Sequence, residues 1–73
     1  MTNAGYNIIA HEMFDNKYGI ALGVKGSAYG EEYVTWMYRA ADTPDYFWGH
    51  YYMEKDKAWA DYHERLATEY ARK

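Results

Sequence analysis

The chain has no cysteine and a single proline, and its one serine is Ser27. Each shortage removes a class of answer. Without cysteine there is no disulfide, no thiolate zinc site and no thiol nucleophile. Small secreted domains generally depend on disulfides, so their absence favours a reducing cytoplasm. Ser27 lies in KGSAYG (25–30), which is not the G-x-S-x-G of a nucleophile elbow. The glycines of GVKGSAYG (23–30) do not form the G-x-x-x-x-G-K-[ST] of a phosphate loop either. No apolar run approaches the roughly 20 residues of a membrane span. MTNAGYNIIAHEM (1–13) lacks the basic region and long apolar stretch of a signal peptide. Positive charge is also scarce: eight Lys and Arg stand against eleven Asp and Glu, for a net charge of −3. No basic cluster exists beyond Arg72-Lys73, which disfavours nucleic acid as a partner.

What is abundant is aromatic surface. Ten Tyr, three Trp and two Phe occur in 73 residues, and five of the seven residues from Tyr46 to Tyr52 are aromatic. A chain of this length forms one domain, residues 1–73, and buries only about 60% of its unfolded surface. Rings burying about 150–250 Å2 each supply a core from few residues. Ten tyrosines nevertheless exceed what one small core can satisfy, because each buried hydroxyl needs a hydrogen-bond partner.

The first two-thirds of the chain predict strands. YNIIAHEMF (about 6–14) is apolar and β-prone, and DNK (15–17) is a turn signal. In the next run (about 18–25), Tyr18, Ile20, Leu22 and Val24 alternate with Gly19, Ala21, Gly23 and Lys25. That period of two marks a strand with one large-residue face, and the small residues opposite leave room for a neighbouring ring or a partner's backbone. GSAYGEE (26–32) reads as the longest loop. YVTWMYRA (about 33–40) is the best strand former, DTPD (42–45) a tight turn, and YFWGHYYM (about 46–53) the fourth strand.

From Glu54 the period changes. Trp59, Tyr62, Leu66 and Tyr70 recur at spacings of three and four, which predicts a helix over about 55–71. Glu54 and Asp56 suit its positive end, and Arg72 and Lys73 its negative end. Lys57–Asp61, Asp61–Arg65 and Arg65–Glu69 are spaced four apart and read as a solvated face. The expected fold class is α+β: a four-stranded antiparallel meander with the C-terminal helix on one face (ββββα). Ile20, Leu22, Val34, Trp36 and Trp48 are expected to face Trp59, Tyr62 and Leu66. Tyr33, Met37, Phe47, Tyr51 and Met53 would lie on the opposite face, and a one-residue register shift would exchange the two sets.

YGIALG (18–23), YVTW (33–36), WGHYY (48–52) and the spaced Ala58, Asp61 and Arg65 resemble a group of small proteins associated with mobile elements and phage-like regions of gut Firmicutes. The resemblance covers about residues 6–66. It implies a bacterial cytoplasmic protein encoded on a transferable element, and it implies no activity and no site residues.

Catalysis and metal binding find little support. His11, His50 and His63 have no close helical or ribbon spacing of a zinc site. A contact of His50 with Glu54 or Asp61 is open to the folded chain but not required by spacing. The expectation is a non-enzymatic protein-binding module without metal or cofactor. It would use Tyr33, Met37, Phe47, Tyr51 and Met53, residue types that suit interface cores, to bind a second copy or a host protein. Two alternatives stand beside it: an acidic inhibitor that occupies a host protein's nucleic-acid site, and an open sheet that stacks single-stranded bases.

Overall fold

The computed structural model describes residues 1–72; the expectation for Lys73 falls outside them. Its elements are β1 (Thr2–Asn3), β2 (Tyr6–Met13), β3 (Tyr18–Ser27), β4 (Gly30–Arg39), β5 (Asp45–Tyr52) and α1 (Lys55–Ala71). The strands pair in chain order, each antiparallel to the next, in one curled half-barrel sheet. The class is α+β with the helix last, but the sheet has five strands, not four. The additional strand, β1, folds back on Tyr6 and Asn7 through Ala4 and Gly5, at φ of 52° and 84°. Two successive positive-φ residues form the tight turn whose twist suits an antiparallel pair. NAGY lacks the Asn-Gly that usually announces it.

Two other connections are set by short polar side chains. Asp15 Oδ1 accepts the backbone N–H groups of Lys17 and Tyr18, each at 2.7 Å, and closes the β2–β3 turn. The loop expected over 26–32 contracts to Ala28 and Tyr29, because β3 and β4 stay paired as far as Ser27 and Gly30. Ser27 Oγ donates to the Gly30 carbonyl (2.9 Å) and accepts the Tyr29 N–H (3.3 Å), while Gly30 takes a φ of 120°.

Helix α1 begins at an extended Glu54, carries Asp56 in its first turn and ends on Arg72. It packs over β3, β4 and β5. Beneath it lies one core of Phe14, Ile20, Leu22, Tyr33, Ala58, Tyr62 and Leu66. The expected facing holds for β3 and α1 but is inverted for β4. Residues directly opposite in an antiparallel pair share a face. Ile20–Met37, Leu22–Thr35 and Val24–Tyr33 therefore face the helix, whereas Gly19–Tyr38, Ala21–Trp36 and Gly23–Val34 face away. Tyr33 and Met37 are consequently core residues of the helix side, and Val34 and Trp36 belong to the other side.

The small residues of β3 explain the inversion. A Cβ on Gly19 would stand 2.7 Å from the Tyr38 ring, and one on Gly23 would stand 2.9 Å from the Trp36 ring. Both are closer than real contacts allow, so these glycines are the slots in which the β4 rings lie. Tyr6 from β2 meets Trp36 edge-on above Gly23 (centroids 5.4 Å apart), and Tyr46 from β5 closes on Trp36 and Tyr38 at 5.4 and 5.7 Å. The face away from the helix is thus a second core of Tyr6, Ala21, Val34, Trp36 and Tyr38. Room on the small side of β3 is taken by neighbouring rings of the same chain.

Candidate functional site: a groove between β5 and the helix

Strand β5 departs from simple alternation. Thr35 pairs with His50 and Met37 with Phe47, so Trp48 and Gly49 together oppose Trp36. This is a bulge with one extra residue. Gly49 lies flat against the Trp36 indole, where a Cβ would come within 3.1 Å. Trp48 is the extra residue, at φ 54°, a conformation in which a bulky side chain is a genuine outlier and which costs roughly 1–2 kcal/mol. Its ring meets Phe47 edge-on (5.1 Å) and is 68% exposed. Trp48 is therefore not the inward core residue expected from alternation.

The bulge keeps both Phe47 and His50 on the helix side, and between them and α1 a groove opens. One part, about 300 Å3, is lined by Met37, Trp48, His50, Asp61, Arg65 and neighbours on the helix. An adjoining part of about 350 Å3 shares Met37 and Trp48 and runs on to Phe14, Tyr18 and Phe47. The groove has a polar end and an aromatic end, with Trp48 between them.

The polar end is organised by Thr35, the one buried polar side chain among the described residues and fully enclosed. Its hydroxyl donates to Asp61 Oδ2 (2.6 Å) and accepts from Arg65 Nη1 (3.1 Å), which also donates to the Thr35 carbonyl (3.2 Å). His50 Nδ1 lies 3.0 Å from the same Asp61 oxygen, and the Tyr52 hydroxyl also hydrogen-bonds to Asp61. Burial pushes the Asp61 carboxyl up, but the hydrogen bonds from Thr35, His50 and Tyr52 outweigh it and hold the carboxyl below its usual value. An ionised Asp61 makes His50 Nδ1 the donor, which leaves Nε2 on the half-exposed ring open to another partner. No buried side-chain nitrogen or oxygen among the described residues lacks a partner.

Asp61 and Arg65 were expected on a solvated face. They turn inward because β4 presents the fully buried Thr35 hydroxyl, which requires a donor and an acceptor. The ion pairs seen on the helix surface are instead Lys57–Glu54 (3.7 Å) and Arg72–Glu69 (3.6 Å). The sequence signal for this site is Thr35 itself, a polar residue inside YVTWMY.

The five residues expected to share a binding face do not share one. Tyr33 is buried under the helix and donates to Glu31 (3.0 Å). Met37 and Phe47 are opposite one another on the helix side, where they floor the groove. Tyr51, paired with Val34 on the other face, is 63% exposed, and Met53, just beyond β5, is 55% exposed. Ser27 is engaged within its own turn. Among the described residues no group of three or more His, Asp or Glu side chains is placed to hold a metal ion, and no helix is long and apolar enough to cross a membrane.

No protein-family model, no curated protein and no solved structure matches this chain.

Proposed function

We propose that the chain is a small non-enzymatic protein-binding module that pairs with a second copy of itself along β5. The observation that carries this reading is the character of that edge. β5 is the last strand of the sheet, and from Gly49 to Met53 it carries neither proline nor a formal charge at pH 7. Exposed edges are usually protected by such residues. The opposite edge is shielded by β1 and carries His11 and Glu12.

The bulge at Trp48 interrupts pairing in the first half of β5, so the segment available is Gly49–Met53. An antiparallel pair of two such segments centres on Tyr51. It brings the two exposed Tyr51 rings together across a two-fold axis, with no like charges opposed. Carriage on a mobile element in a bacterial cytoplasm, implied by the resemblance, belongs to the same proposal. Light scattering across a concentration series is expected to show mass doubling. Tyr51→Glu should give a folded monomer, because it sets two carboxylates face to face while leaving both cores untouched. A concentration-independent monomeric mass for the unmodified protein would remove the self-pairing reading.

A further inference from the structure

We propose that the groove beside Trp48 is a binding site for a neutral, hydroxyl-rich ring compound, a carbohydrate. The site lies on the helix side of β5 and is independent of the Tyr51 edge.

The first observation is Trp48 itself. A tryptophan held at φ 54° and 68% exposed brings both backbone strain and apolar exposure, where glycine would avoid both. Such outliers persist where the surroundings over-determine them, and they cluster at ligand sites. Here the pairing of His50 with Thr35 and of Phe47 with Met37 fixes both flanks of the bulge. The Phe47 ring supports the indole on one side, so its remaining surface forms a platform over the groove.

The second observation is the set of polar groups beside that platform. His50, Glu64 and Thr68 line the groove with Trp48, and the hydrogen bond of His50 runs through Nδ1, so its Nε2, the Glu64 carboxylate and the Thr68 hydroxyl are available to a ligand. Arg65 uses Nη1 on Thr35, which leaves its other N–H groups available. The site therefore mixes acceptors with donors. A hydroxyl can serve either, so a ring with hydroxyls around its rim and C–H bonds on its face satisfies rim and platform together. A purely apolar occupant would strand those groups without partners.

The mixed charges of the lining favour a neutral ligand over an ionic one. Asp61, Glu64 and Glu69 line the groove against Arg65 and Arg72. Arg65 is committed to Thr35, and Arg72 lies 3.6 Å from Glu69. A phosphate would meet three carboxylates, and a cationic group would meet two guanidinium groups, so a ligand of either charge faces repulsion that a neutral one avoids. The volume is at the lower end of the range for ligand pockets, about 300–1,000 Å3, and accepts about one or two pyranose rings.

The test is titration with neutral oligosaccharides (cello-, xylo-, malto- and chito-hexaose), followed by tryptophan fluorescence and by acrylamide quenching. Trp48 is the exposed indole, so bound sugar should shield it selectively. At least one sugar is expected to bind with a Kd of about 0.1–1 mM, as befits an open site with few contacts. The affinity should change less than about twofold between low and high salt, because no counter-ions are released. Trp48→Gly removes the platform and relieves the backbone, so it should fold at least as stably and lose binding by tenfold or more. Trp48→Phe should retain part of it, and Tyr51→Glu all of it. Failure of every sugar at millimolar concentration would overturn the proposal. So would binding that survives Trp48→Gly, or tighter, salt-sensitive binding of an oligonucleotide.

Discussion

Gly19, Gly23 and Thr35 do more for this fold than their size suggests. Gly19 would place a Cβ 2.6 Å from the Glu12 carbonyl as well as against Tyr38, whereas Gly26 in the same strand has nothing within 4 Å. Gly19→Ala should therefore cost about 1–3 kcal/mol by overpacking, and Gly26→Ala less than about 0.5 kcal/mol; denaturant midpoints check both. At Thr35 the hydroxyl is the only part that matters chemically. Thr35→Val keeps the shape and should cost about 1–2 kcal/mol, because Asp61 and Arg65 each lose a buried partner. The ionised Asp61 adds a pH dependence. Its folded carboxyl titrates below its unfolded value, so the stability it brings is present above about pH 4 and is lost as pH falls through the folded value. Asp61→Asn should flatten the acid limb of the stability curve, measured by melts from neutral to low pH. At the alkaline end the sign is the reverse in form. Tyr6, through burial and then its hydrogen bond to Glu32, and Tyr62, mainly through burial, are pushed up to about 12. The folded chain holds those protons longer than the unfolded one, so stability should be intact below about pH 10 and fall through pH 10–12.

Between elements, the helix and the sheet are joined by two kinds of contact. Leu66, Tyr62 and Ala58 are buried against Ile20 and Leu22, and Asp61 and Arg65 clasp Thr35 one stripe further round. Leu66→Ala should cost roughly 2–5 kcal/mol, and Glu64→Ala under about 0.5 kcal/mol, as urea midpoints would show. The charged residues of the helix do not form one solvated face, because the stripe nearest β5 sits over Thr35, the buried polar residue of β4. Pairs spaced four apart are ordinarily surface support worth a few tenths of a kcal/mol. Here one such pair binds a third group on another element, a relation that spacing alone does not encode.

At the scale of the whole molecule, two cores flank a single sheet, and only one is covered by the helix. The other is covered by its own rings, which is how so short a chain accommodates fifteen aromatic residues. Tyrosine hydroxyls reach carboxylates at the rim: Tyr6 to Glu32, Tyr33 to Glu31 and Tyr70 to Glu12. No disulfide adds to these contacts, since the chain has no cysteine. Thermal melts with and without a strong chelator are therefore expected to superimpose, and a drop of several degrees would point to a metal held by His50 or His63.

The helix, four of the five strands and the β3 face that meets the helix were legible in the sequence, because each rests on a local period. Trp59, Tyr62 and Leu66 recur as a helical stripe, and Ile20, Leu22 and Val24 alternate without interruption. β1 was not legible, since a two-residue strand has no period. For β4 and β5 the alternation is equally apolar on both faces, so pattern cannot choose between them. The choice is made across strands, by glycine slots in β3 that accept Trp36 and Tyr38 and by the register that follows from them. That register puts Thr35 beneath the helix, draws Asp61, Arg65 and His50 to it, and leaves Trp48 as the residue without a place in the ladder. Local periodicity determined which elements exist. Steric fit between strands decided which side chains meet, because a side chain's face depends on its partner's shape as well as on its own polarity.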